Sequence, residues 1–272
     1  MVVKVAVVGA SGKLGRVISA VIEEEDDFEV VARLGSTSDL DEILTADVVV
    51  DVTVPGVSQR IVEHAVRAGK KVLIGTSGWS ADRITSLENT VAETPGAAAI
   101  VIPNFSIGSV LATTFATMAA RYFDSIEIVE AHAASKIDSP SGTAVRTAEL
   151  IAAARSHLGP VSAPHTDQRA RGQQVASVPV HSLRMSGVVA KQDVVFGGTG
   201  EILTLTHETI SPSSYQTGIR IALRAAAAAE DGVVVGLDRL IGLTTAPAAP
   251  RTGATGPENV SGQAAEATTV DR

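Results

Sequence analysis

The sequence predicts an α/β protein, with a doubly wound parallel sheet followed by a second α+β domain on a mainly antiparallel sheet. Three observations carry this. Over the first 105 residues, short β-branched runs alternate with segments of helical period, the signature of parallel strands joined by right-handed crossovers. A turn with glycine at every third position divides the first run from the first helical segment. After Phe105, three apolar runs separated by glycine-containing turns follow a helix–strand–helix stretch, as antiparallel strands do.

Residues 2–8 are apolar and β-branched with one lysine, which suits a buried parallel strand. Residues 9–15 form the turn. A helix follows over roughly 14–25, with Leu14, Val17, Ile18, Val21 and Ile22 on one face. Strands are expected at 28–34, 46–52, 71–74 and 97–102, and helices at 58–68, closed by Gly69, and 81–92. In such sheets ligands bind at the carboxyl ends of the strands. Thr53, Gly75, Thr76 and Asn104 fall at those ends. Beyond Phe105 the spacing predicts a helix at 109–122, a strand at 125–131 and a helix at 143–156. A polar loop at 158–174 precedes strands at 178–185, 188–196 and 201–208. A last helix at 215–229 returns to the first domain. Residues 1–105 with 211–245 therefore form one domain, 106–210 a second, and 246–272, rich in Ala, Thr, Gly and Pro, a disordered tail.

Composition narrows the function. The net charge of −8 argues against a general nucleic-acid binder. The absence of cysteine rules out disulfides and thiol chemistry. No His/Asp/Glu group has metal-ligand spacing, so no metal is expected. No apolar run is long enough for a membrane span, and the opening MVVKVAVVGASG does not read as a signal peptide. A cytoplasmic location is the resulting expectation.

Gly9, Gly12 and Gly15 follow a strand and open a helix, the context that marks a Rossmann-type dinucleotide turn. Gly9 permits the tight turn, Gly12 the close approach of a pyrophosphate, and Gly15 close helix-to-strand packing. Ser11, Lys13 and Leu14 belong to the same anion-binding segment, although Lys13 also reads as a solvent-facing lysine. The second strand lacks the carboxylate that would bind a ribose 2′-hydroxyl. Arg33, Ser36 and Thr37 stand there instead, favouring the 2′-phosphate of NADPH over NADH. Arg33 alternates with apolar residues and so has a second orientation open to it, away from the ligand. Use of both cofactors is the alternative.

Residues 130–144 read E-A-H-A-A-S-K-I-D-S-P-S-G-T-A. His132, just past a strand, is suited to proton exchange near neutral pH. Lys136 is a point cation for a carboxylate. Ser141, Gly142 and Thr143 open a helix whose amides can take carboxylate oxygens. A proton donor, a cation and an anion site within a dozen residues fit a small dicarboxylate substrate. The structural alternative is a capped turn carrying His132 and Lys136 on a solvated loop. Glu130 either orients this loop or faces solvent. His181 and Arg184 read as strand or subunit contacts, Trp79 as packing near the cleft, and His64, His157, His165 and His207 as surface residues.

These motifs resemble the 4-hydroxy-tetrahydrodipicolinate (dihydrodipicolinate) reductase family, whose signature is E-x-H-H-x-x-K-x-D-A-P-S-G-T-A. Glu130, His132, Lys136, Asp138, Pro140, Ser141, Gly142, Thr143 and Ala144 match it. G-T-S-G at 75–78, P-N-F-S-I-G at 103–108 and V-H-S-L-R-M-S-G at 180–187 match in family order. The resemblance implies an NAD(P)H-dependent reductase of diaminopimelate and lysine biosynthesis. In it His132 would be the acid–base group, and Lys136 with Ser141, Gly142 and Thr143 the carboxylate site. Gly75, Thr76, Asn104 and Phe105 would line the nicotinamide pocket, Thr53 and Ser77 would bind the cofactor too, and the assembly would be a homotetramer. The chain departs from the family at Ala133, where a second histidine is usual, and at Ser135. Ala133 leaves open another cyclic imine acid as substrate. A nucleotide-binding protein without catalysis is a third reading.

Overall fold

A computed structural model describes residues 1–243. The expected tail at 246–272 lies outside the described residues, as do the last two positions of the segment ending at 245. Six strands form one all-parallel sheet: β1 (Val3–Val8), β2 (Phe28–Leu34), β3 (Val48–Asp51), β4 (Lys71–Ile74), β5 (Ala98–Val101) and β11 (Val233–Val235). Their spatial order is β11-β5-β4-β3-β1-β2. The order reverses between β1 and β3, and at such a switch point α/β sheets open a ligand crevice.

Strand alternation sends side chains to two separate cores. Val5, Val7, Val48, Val50, Leu73 and Ile100 meet the apolar stripes of α1 (Lys13–Glu23) and α6 (Gln216–Ala228). Ala6, Val8, Val49, Val72, Ile74 and Val101 meet α2 (Pro55–Arg67) and α3 (Ala81–Ala92). Both faces are covered, which is why these strands read as unbroken apolar runs.

The second sheet contains β6 (Ser125–Ala133), β7 (Gln173–Val175), β8 (Val178–Met185), β9 (Ala190–Gly198) and β10 (Glu201–Thr209), in the order β10-β9-β6-β8-β7. Its core face packs Ile126, Ile128, Val180, Val194 and Phe196 against Ala116, Ala120, Ala148 and Ile151. Those four come from α4 (Ile107–Ala119), its C-cap, and α5 (Gly142–Ala154). Alanine on the helices allows close approach to the sheet.

Four expectations need correction. The strands at 178–185 and 188–196 are not neighbours: β6 lies between them, parallel to β8 and antiparallel to β9. The turn after β8 spans two strand spacings, about 10 Å, which four residues can reach. Strand β7 emerges inside the supposed polar loop and pairs with β8. Strand β11 was not anticipated, because Val233–Val235 is too short to show a period. Helix α2 starts at Pro55 rather than 58, since proline suits the first helical turn.

Candidate active site

The glycine turn sits at the switch point. Gly9 has φ +88°, and a Cβ there would lie 2.6 Å from the Val52 carbonyl oxygen. A Cβ on Gly15 would lie 2.2 Å from the Gly9 oxygen, so helix and turn are in backbone contact. Gly12 is the N-cap of α1 and no side chain caps that helix, so its first-turn amides have no partner inside the helix. Unpartnered amides of this kind can hold an anion such as a pyrophosphate. Ser11 and Lys13 are exposed beside it, while Leu14 is half-buried against the core. Arg33 pairs with Glu23 of α1 and keeps 47% of its side chain exposed. Ser36 is exposed just beyond β2.

At the carboxyl end of β3, Asp51 is fully buried. It accepts hydrogen bonds from Thr53 N (3.3 Å), Thr53 Oγ1 (2.6 Å) and the Ser58 hydroxyl. Trp79 Nε1 donates to Ser58 Oγ at 3.0 Å. Thr53 is therefore held by the chain itself. The sequence reading passed over Asp51; its one signal was a lone carboxylate closing an apolar strand. Gly75 is enclosed, because a Cβ there would meet Phe105 at 2.7 Å and Val52 at 2.9 Å. Phe105 is itself only 3% exposed, so it shapes the 75–77 loop from behind.

An open cleft of about 570 Å³ runs between this sheet end and α4–α5. Thr76, Ser77 and Asn104 line it from one side, and His132, Lys136, Ser141, Gly142 and Thr143 from the other. Asn104 ties the two sides together: its Nδ2 donates to Ser109 Oγ at 2.9 Å and to Thr143 Oγ1 at 3.5 Å. Ser141 is more committed than its sequence position suggested. Its Oγ caps α5 through Ala144 N (3.2 Å), and its N–H donates to Glu130 Oε1 (3.2 Å). The amides of Gly142 and Thr143 then remain to face an anion. Lys136 Nζ lies 2.7 Å from Asp138 Oδ1, and this hydrogen bond holds the Asp138 carboxyl below its ordinary range.

Glu130 is not at the solvent face: it is fully buried. It contacts His132 Nδ1 at 2.6 Å and the Arg184 guanidinium at 2.9 Å through each oxygen. Burial opposes its charge, but hydrogen bonds from Arg184, Ser182 and His132 outweigh that and hold its carboxyl below the ordinary range. On the other face of the sheet His181 and Arg171 both hold Glu127.

His207 is not a plain surface residue. It is half-buried, and its Nε2 lies 3.2 Å from Ser106 Oγ, the N-cap of α4. Burial lowers its pKa below the ordinary 6.5. The unfolded chain therefore takes up this proton before the folded one does, and stability falls as pH drops below 6.5 toward the folded value. His207→Gln is expected to flatten that part of a plot of thermal midpoint against pH. An unchanged slope would refute the assignment.

Two family models cover nearly all the described residues: "Dihydrodipicolinate reductase, N-terminus" matches 3–105, and "Dihydrodipicolinate reductase, C-terminus" matches 108–241. The chain belongs to the dihydrodipicolinate reductase family. It is 60% identical to the 4-hydroxy-tetrahydrodipicolinate reductase of Clavibacter sepedonicus, over 99% of both chains. It is 40% identical to that of Streptomyces griseus, over 88% of this chain and 98% of the relative. Among solved structures it is similar to a dipicolinate-bound dihydrodipicolinate reductase from Paenisporosarcina sp. TG-14, with a TM-score of 0.73 and 28% identity, over 88% of this chain and 99% of that one. An amine dehydrogenase from Mycobacterium smegmatis, at 11% identity and TM-score 0.61, shares the fold. The dihydrodipicolinate reductase family binds NAD(P)H, and the uncapped glycine turn of this member fits a dinucleotide. Among the described residues no helix is long and apolar enough to cross a membrane.

Proposed function

We propose that the chain reduces 4-hydroxy-tetrahydrodipicolinate to tetrahydrodipicolinate with NADPH in preference to NADH, within diaminopimelate and lysine biosynthesis in the cytoplasm. The observation that carries this is the convergence of His132, Lys136 and the first turn of α5 on the same cleft as Thr76, Ser77 and Asn104. Residues 1–105 with 211–245 serve dinucleotide binding, and 106–210 serve substrate binding and assembly.

When bound, the dinucleotide supplies a hydride, which the substrate takes at C4. The chain's own groups do the rest. Amides at the start of α1 hold the pyrophosphate. Thr76, Ser77 and Asn104 bound the nicotinamide side of the cleft. Lys136 and the Gly142 and Thr143 amides hold one substrate carboxylate. Asp138, already bonded to Lys136, keeps that ammonium from swinging to solvent. His132 gives a proton to the carbon next to C4 and is reprotonated from water. The C4 hydroxyl first leaves as water with a proton from the adjacent ring carbon, giving the conjugated dihydrodipicolinate. One hydride and one proton then enter, so overall one NADPH and one proton are consumed and one water is released. A homotetramer suits the open face of the second sheet, where Leu183, Met185 and Ile202 are 46%, 50% and 76% exposed.

Steady-state assays with NADH and NADPH side by side on the condensation product of pyruvate and aspartate semialdehyde test the reading. Oxidation of either cofactor dependent on that substrate is expected. Arg33→Ala is expected to raise the KM for NADPH by roughly 10-fold and leave that for NADH nearly unchanged, as loss of one charge-assisted phosphate contact would do. Equal effects on both cofactors would remove Arg33 from the 2′-phosphate site. An inert wild-type protein would sink the function itself.

A further inference from the structure

We propose that the buried Glu130 and the partly exposed Arg184 form a positioning pair, which fixes the tautomer and aim of His132 and, through the same carboxylate, locks the start of the carboxylate-binding helix. The proposal rests on reading His132 as the acid–base group. Glu130 and His132 alternate on one face of β6, and Arg184 stands opposite His132 in the parallel strand β8. That register places a fixed cation and a fixed anion beside the imidazole.

A carboxylate without exposure is costly unless each oxygen is satisfied, and here each is. Oε2 takes His132 Nδ1 at 2.6 Å and Arg184 Nη1 at 2.9 Å. Oε1 takes Arg184 Nη2 at 2.9 Å and the Ser141 N–H at 3.2 Å. Arg184 Nη2 also donates to the Asp138 carbonyl at 2.6 Å, which ties down the loop carrying Lys136. The fork of a guanidinium is needed for this, since it must meet both carboxylate oxygens and a carbonyl at once.

The chemical consequence is specific. An ionised carboxylate only accepts hydrogen bonds, so Nδ1 must carry the proton it shares with Glu130. In neutral imidazole Nε2 is then bare, and in imidazolium Nε2 carries the transferable proton. His132 lines the cleft, so Nε2 is the nitrogen left for the substrate. One carboxylate thereby sets both the donor atom and the position of the helix amides that hold the acceptor molecule.

Glu130→Gln tests this, because a glutamine keeps the shape but removes the obligate acceptor. With Arg184 donating to its oxygen, the amide nitrogen faces His132 Nδ1 and reverses the tautomer. Nitrogen-15 NMR of labelled histidine should show Nδ1–H in the wild type and Nε2–H in the variant. Turnover should fall by up to about 10⁴-fold, the scale seen when an orienting carboxylate is replaced by its amide. KM for the substrate should stay within a few-fold. Retention of the Nδ1–H tautomer with wild-type kcat would overturn the proposal, even if the thermal midpoint fell. Should Glu130→Gln not fold, Arg184→Lys keeps the charge and loses the fork. It should lower kcat and, by freeing the Asp138 carbonyl, raise KM; a wild-type kcat there would equally overturn it. The NMR signature is read without substrate, so an error about the reaction would leave it standing.

Discussion

His132→Ala is expected to lower kcat by about 10²–10⁴-fold, the range for loss of a positioned acid–base group, while NADPH binds as before. His132 is the imidazole facing the main cleft. Of the titratable groups around it, Lys136 is paired with Asp138 and Glu130 with Arg184, while His207, which lines the small adjoining cavity, is held by Ser106. The side chain is 18% exposed and sits at the end of β6, away from the glycine turn, so cofactor affinity should not move. Steady-state rates with a fluorescence titration of NADPH separate the two effects. A kcat within a few-fold of wild type would remove His132 from the chemistry. Weakened NADPH binding would mean that the substitution disturbs the fold around the cleft.

Gly15→Ala is expected to be the more damaging change to the protein as a whole. The added methyl would sit 2.2 Å from the Gly9 oxygen and 2.8 Å from the Ala10 Cα. Both are backbone atoms, so no side chain can turn aside. Either α1 lifts from the sheet or the turn opens. Lifting α1 loosens Ile18, Val21 and Ile22 from the core, and overpacking of this kind costs about 1–3 kcal/mol. Opening the turn disperses the amides proposed to hold the pyrophosphate. The thermal midpoint should fall, and the Kd for NADPH should rise by at least about 10-fold, as loss of even one charge-assisted contact would produce. Wild-type values for both would show that the contact relaxes at no cost, and that Gly15 does not govern those amides.

Much of this was legible in the chain, for physical reasons. The inner parallel strands β1, β3, β4 and β5 declare themselves because burial on both faces forces apolar runs. The glycine turn does so because three positions there tolerate no side chain without crowding. His132, Lys136 and Ser141–Thr143 are close in sequence, so local spacing was enough to group them. What stayed hidden depends on partners far along the chain. Arg184 could be placed beside Glu130 only once β8 was known to run parallel to β6. His207 could be paired with Ser106 only through the packing of β10 on α4. The committed N–H of Ser141 follows from the burial of Glu130, which an isolated glutamate in a strand does not announce. Strand β11 has three residues, fewer than any periodicity can reveal.

The late return of β11 to the edge of β5 has a consequence for biosynthesis of the chain. Ile219, Ala222, Leu223, Ala226 and Leu237 supply much of the layer that covers one side of the first sheet. While the ribosome has delivered only the amino-terminal hundred residues, that side is covered by α1 alone. The nascent segment must wait, wetted or chaperoned, until some 130 further residues have emerged. The two-lobed molecule therefore matures from its middle outward, and its dinucleotide crevice is among the last parts to set.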